Sequence, residues 1–158
     1  MSKDLEILAQ RARQKALAAI SLVDASLVKY HPYNTTKKYT PDELEPYDAL
    51  ANRYIRAVEI CIKLFRTEER LQFGEASETY RDLLNRMEKL NAISSTGQWI
   101  EMRDLRNRIV HDYLPEQIEQ LFDLITQHHA PELLAVSQWI KRGGQEVKQP
   151  TRLDSFRL

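Results

Sequence analysis

Four side chains with complementary chemistry fall within one short stretch, Arg106-Asn107-Arg108-Ile109-Val110-His111-Asp112-Tyr113. Histidine titrates near neutral pH and can give or take a proton. Arginine stays charged and can grip a phosphate through two parallel hydrogen bonds. His111 with Arg106 is therefore a minimal set for cleaving RNA by attack of its own 2′-hydroxyl, with no metal needed. Asn107 precedes His111 by four residues, so on a helix the two share a face and can hydrogen-bond. His111 stands about 140° around the helix from Arg106. A swinging arginine, or two copies of the helix meeting across a dimer, would bring them together.

At about 100° per residue, Trp99 and Tyr113 lie within about 20° of Arg106, and Met102 and Val110 within about 40°. Arg106 is thus expected at the centre of an apolar arc, where a leucine would be ordinary. A buried, unpaired arginine is costly. Either a carboxylate such as Glu59 or Glu78 on a neighbouring helix pairs with it, or the face opens into a cleft or subunit interface that binds an anion. Simpler roles exist for the other two residues. His111 can interact with the helix dipole ahead of Pro115, and Tyr113 can be a core aromatic with a polar tip. Arg108 points away from Arg106, reads as surface, and can pair with Asp104.

Helices must position these groups. Leu5, Leu8, Ala12, Ala16, Ala19, Ile20, Val23 and Leu27 recur at three- and four-residue steps, one long amphipathic helix ending before Tyr30-His31-Pro32. A polar loop, Tyr33 to Tyr39, follows. Thr40-Pro41-Asp42-Glu43 reads as a capping box with proline at the first helical position. Pro46 is expected to break an interior turn, so the main second helix should start near it and carry Tyr47, Ala51, Tyr54, Val58, Ile62 and Phe65. Thr67 to Ser77 reads as a loop. A third helix carries Tyr80, Leu83, Leu84, Met87 and Leu90. Ser95 and Gln98 read as the capping box of a fourth, Trp99 to Leu114. A fifth carries Ile118, Leu121, Phe122 and Ile125. A short helix after Pro131 holds Leu133, Leu134, Val136, Trp139 and Ile140 and stops at Gly143-Gly144. The expected fold is all-α, an antiparallel up-and-down four-helix bundle core with additional short C-terminal helices. Residues 1–142 would form the bundle and residues 143–158 a flexible, mildly basic tail.

Composition narrows the function. The 158 residues suit one domain, and the 4 glycines form no phosphate-cradling loop. Zero formal net charge argues against strong non-specific DNA binding but leaves room for a local basic patch. The single Cys61 excludes an internal disulfide and a cysteine-rich zinc site, and its apolar neighbours mark an inert core thiol. His128 and His129 are adjacent and lack metal-ligand spacing, so no metal and no cofactor are expected. No stretch has the roughly 20 apolar residues of a membrane span, and the start of the chain has no apolar leader core, so a cytoplasmic protein is expected. Lys29, Tyr30, Tyr33, Lys37, Lys38 and Tyr39 interleave cations with aromatics, a mix that can contact RNA but commonly just caps a bundle. Lys37, Lys38 and Arg103 are the weaker RNA-binding candidates.

The segment fits Arg-x-x-x-x-His-x-Tyr with a polar Asn directly after the Arg. It resembles the HEPN superfamily, and within it the HepT toxins. Tyr80-Arg81-Asp82-Leu83-Leu84, the turn at Ile93 and Arg56-Ala57-Val58-Glu59 agree in spacing, and the resemblance covers roughly Ala49 to Ile125. It implies a four-helix core, a homodimer that pairs the two motifs, and a metal-independent endoribonuclease with Arg106, His111 and Asn107 as its catalytic residues. It also implies a partner, an MNT-type minimal nucleotidyltransferase antitoxin that transfers AMP onto Tyr113. The alternative is a non-catalytic subunit that presents RNA or Tyr113 to a nucleotidyltransferase. The chain has no Asp-x-Asp pair, so it lacks the usual paired metal-binding carboxylates of a nucleotidyltransferase.

Overall fold

A computed structural model describes residues 2–109 and 115–144. Among the described residues the structure is all-α, with no strand. Helix α1 spans Ser2–Val28, α2 Pro41–Phe73, α3 Tyr80–Lys89, α4 Thr96–Ile109 and α5 Pro115–Asp123. A π-helical turn, Leu124–His129, then leads directly into α6, Ala130–Lys141. No described helix is long and apolar enough to cross a membrane. Of the expected basic tail, residues 143–158, all but Gly143 and Gly144 lie outside the described residues.

Helices α1 and α2 form a long antiparallel pair. Arg13 of α1 bonds Glu68 near the end of α2, whereas Arg53 near its start bonds the Leu22 carbonyl and Ser26 Oγ. The buried face of α1 is Ala9, Ala16, Ala19, Ile20 and Val23, three of them alanines. Leu8, expected inside, is 55% exposed, because the seven-residue step of Ala9, Ala16 and Val23 turns it outward.

The second helix is one element, contrary to the expected break at Pro46. The Thr40–Glu43 capping box forms and Pro41 opens the helix as expected, and Pro46 sits inside it. So early in a helix a proline disturbs only the carbonyl four residues back. The capping box and the buried Tyr47 and Leu50 hold that first turn in place. The expected loop from Thr67 is also helical, as far as Phe73. Glu68 and Glu69 are buried, and they are paired with Arg13 and Arg86. Tertiary ion pairs thus draw a polar run into the core. Gly74 ends the helix in a left-handed conformation, φ 73°, with its N–H on the Arg70 carbonyl.

Helix α3 starts at Thr79, whose hydroxyl accepts from the Asp82 N–H, and buries Leu83, Leu84 and Met87. In α4, Ser95 Oγ accepts from the Gln98 N–H. The Gln98 side chain does not complete the expected box, donating instead to the His128 carbonyl. Fifth and sixth helices were expected as separate elements; the π turn joins them, and Ala130 N–H reaches back five residues to the Ile125 carbonyl. Gly143 and Gly144 end α6 as expected, both left-handed, with Gly144 N–H on the Trp139 carbonyl. Helix α2 packs against α1, α3, α4 and α6. Cys61 is fully buried there, and burial pushes its thiol up to about 12, which leaves it inert.

Candidate active site

Helix α4 is anchored before it presents any chemistry. Trp99 packs edge-on against Phe65 of α2, with ring centroids 4.8 Å apart, and its indole N–H donates to Glu132 of α6. Tyr54 of α2 is buried and donates its hydroxyl at 2.9 Å to the Met102 carbonyl, one turn before Arg106. Glu88 accepts from both the N–H and the hydroxyl of Thr96, securing the start of the helix. The buried residues of α4 are Thr96, Trp99, Met102 and Leu105.

Arg106 is accordingly not at the centre of the apolar face. The mean direction of Trp99, Met102 and Leu105 lies about 40° around the helix from Arg106, toward Leu105. Arg106 stands on the edge, with 26% of its side chain exposed. The expected position leaned on Val110 and Tyr113 as members of the same face.

Two contacts hold the guanidinium. Nη1 donates to Glu59 Oε1 on α2 at 3.2 Å, so Glu59 is the carboxylate partner and Glu78 is not. Nε and Nη2 both donate to Asn107 Oδ1, at 3.1 and 2.7 Å. Asn107 therefore fixes Arg106 directly, a role the i,i+4 argument toward His111 did not reveal. An ion pair this exposed is worth about 1 kcal/mol at most. Stability alone does not account for Arg106; the geometry orients a charged fork at the rim of the helix.

His111 and Tyr113 lie outside the described residues, in the segment 110–114 that follows α4. Arg108 is exposed as expected, but it forms no ion pair with Asp104 among the described residues.

Arg103 lies one turn before Arg106. Its guanidinium carbon sits 3.8 Å from the centroid of the Tyr80 ring of α3, and its buried Nε has no hydrogen-bond partner. Tyr80 in turn donates its hydroxyl to the Trp99 carbonyl at 3.3 Å. Burial pushes that hydroxyl up to about 12, against the opposing fields of Arg103, Arg106 and Arg66. Neither Tyr80 nor Arg66 was legible as a site residue, because both look like ordinary helix positions until α2, α3 and α4 converge.

Lys37 and Lys38 sit on the α1–α2 loop. Lys37 pairs with Glu43, whose hydrogen bond raises its ammonium pKa, and it lies 4.9 Å from the Tyr39 ring centroid. The loop aromatics pack on one another: Tyr33 stacks on Tyr39 at 4.8 Å, and both meet Tyr47 edge-on. That cluster caps the bundle beside Phe122 of α5. Among the described residues no group of His, Cys, Asp and Glu gathers in a metal-binding arrangement.

A family model described as ribonuclease HepT-like matches residues 8–140. Comparison with curated proteins and with solved structures finds no match in either. The family match takes in α1 and α6 as well as the stretch from Ala49 to Ile125 in which the motif context is readable.

Proposed function

The chain belongs to the HepT-like ribonuclease family, and from that premise we propose that it is a toxin that cleaves RNA internally without a metal. The substrate's 2′-hydroxyl oxygen attacks the adjacent phosphorus, and the bond from phosphorus to the 5′-oxygen breaks. The products carry a 2′,3′-cyclic phosphate and a 5′-hydroxyl. His111 moves the proton from the 2′-hydroxyl toward the departing 5′-oxygen. Arg106 neutralises charge that develops on the phosphoryl oxygens. Asn107 sets the angle of the Arg106 fork. The carrying observation is that fork: a guanidinium held at a helix rim by two hydrogen bonds to one amide oxygen and still partly exposed.

The site acts as a pair. A two-fold homodimer that faces its α4 helices together would bring each Arg106 toward the other copy's His111 segment. Sedimentation should show a dimer at micromolar concentration, and a strict monomer would count against this arrangement. Lys37 and Lys38 contribute RNA contacts from the α1–α2 loop. The partner is an MNT-type nucleotidyltransferase that silences the toxin by placing AMP on Tyr113, and the setting is the cytoplasm. A second reading, a non-catalytic subunit serving that nucleotidyltransferase, draws support from the Arg106–Glu59 ion pair, which occupies the arginine.

The deciding experiment is digestion of RNA by the purified protein with and without EDTA. We expect cleavage unaffected by chelator, with cyclic-phosphate ends. His111→Ala and Arg106→Ala should each lose at least about 100-fold in rate with helicity intact. Cleavage by His111→Ala at the parent rate would overturn the assignment, and no cleavage by the wild type would favour the second reading.

A further inference from the structure

Although the chain carries no formal net charge, the Tyr80 ring carries one arginine directly, Arg103 of α4, and its hydroxyl also feels the fields of Arg106 on α4 and Arg66 on α2. Arg103 has the largest of these fields, and Asp104 opposes them. Arg106 already has Glu59, but Arg103 and the exposed Arg66 have no ion pair among the described residues. Arg103 is also pre-oriented. Its guanidinium stacks on Tyr80 at 3.8 Å, and Tyr80 is itself fixed by its hydrogen bond to the Trp99 carbonyl. Stacking occupies a face of the guanidinium and leaves its in-plane donors for an acceptor. On α4, Arg106 follows Arg103 by three positions, a rise of about 4.5 Å on the same side of the helix.

We propose that Arg103, mounted on Tyr80, is a second phosphate-binding position that holds single-stranded RNA next to the Arg106 site, with Arg66 on the adjoining α2 as a supporting cation. The proposal rests on the RNA-cleaving reading for its ligand. An unpaired, pre-stacked guanidinium fits a phosphodiester, which offers two oxygens to its paired donors. An aromatic ring carrying a guanidinium is also a combination used for single strands. Held there, a neighbouring phosphate would fix the register of the strand and leave Arg106 to the scissile one. Arg103 and Arg66 are thus positioning residues, and they act through the backbone rather than through bases.

The test is binding, kept apart from cleavage. A fluorescein-labelled 2′-O-methyl oligoribonucleotide cannot undergo 2′-hydroxyl attack, so its anisotropy reports binding alone. We expect Arg103→Gln and Arg66→Gln each to weaken binding, by about tenfold for Arg103. Each should also lower the slope of log affinity against log salt by about 0.7, the value of one single-strand phosphate contact. Arg103→Lys, which keeps the charge, should restore the slope, and Arg11→Gln on α1 should leave it unchanged. Parental slopes in Arg103→Gln and Arg66→Gln, with helicity intact, would overturn the proposal. If Arg103→Gln fails to fold, Arg66→Gln and Arg103→Lys decide it. Digestion of unmodified RNA in parallel separates the two ideas. Cleavage with unaltered slopes removes only this phosphate position, slope changes without cleavage remove only the nuclease reading, and no binding by the wild type removes the phosphate position.

Discussion

Arg106 Nη1 and Glu59 Oε1 lie 3.2 Å apart, an ion pair that joins α4 to α2 at the rim of the candidate site. The Glu59 side chain is 47% exposed, so solvent screens the pair and its worth is about 1 kcal/mol at most. On the proposed reading a phosphate would displace the carboxylate readily, and Glu59 would compete with substrate for the same guanidinium.

Glu59→Gln should strengthen RNA binding by up to about fivefold, the equivalent of that pair energy. Stability should change little. Anisotropy titration at low salt measures it, and equal or weaker binding by the variant would show that Glu59 serves the site instead of opposing it.

Tyr113→Phe should keep most nuclease activity yet escape modification. AMP on the Tyr113 oxygen would add a bulky phosphodiester, block the strand and offer Arg106 a competing anion. Intact-mass measurement after co-expression with the cognate nucleotidyltransferase checks this. An adduct that persists in Tyr113→Phe, or none on the wild type, would refute the acceptor assignment.

Glu69→Ala should be among the most damaging single changes. Glu69 is 1% exposed and accepts from the Ser77 N–H and hydroxyl and from Arg86 Nη1. Its removal strands those donors and loosens the link from α2 to α3, at a cost of about 3 kcal/mol. Urea denaturation reads this directly, and a loss below about 1 kcal/mol would mean that water replaces the carboxylate without difficulty.

Stability should fall on mild acidification because of His129. This residue is 2% exposed, stacks on Tyr54 and has no partner for Nδ1. Burial lowers its pKa, with His128 acting in the same direction and Glu101 and Glu132 opposing. Above the unfolded value of about 6.5 both states are neutral and the full stability is present. Below it the unfolded chain takes up the proton first, and stability drops until the folded pKa is passed. The urea midpoint should therefore fall between about pH 7.5 and 5.5, and His129→Gln should flatten the change. A wild-type midpoint that is constant over that window, or the same slope in both proteins, would sink the idea.

Local chemistry was readable without tertiary structure. Thr40–Glu43, Ser95 and Gly143-Gly144 act within a turn or so of themselves, so their residue types suffice to mark helix ends. The spacing from Arg106 to Tyr113 is likewise local, so the motif is legible in the sequence itself. What only the assembled helices decided depends on partners far along the chain. Glu68 and Glu69 became core residues because Arg13 and Arg86 reach them, and that kept α2 helical through a polar run. The true direction of the α4 core face came from Phe65 and Tyr54 meeting Trp99 and the Met102 carbonyl, and it moved Arg106 from an expected centre to a usable edge. Glu59 and Tyr80 are 47 and 26 positions away from Arg106 in the chain, so no periodicity within α4 can report them. Periodicity carries the face of one helix; which charge meets which is settled only when helices cross, because Coulomb and hydrogen-bond energies act over a few ångströms of space and take no account of separation along the chain.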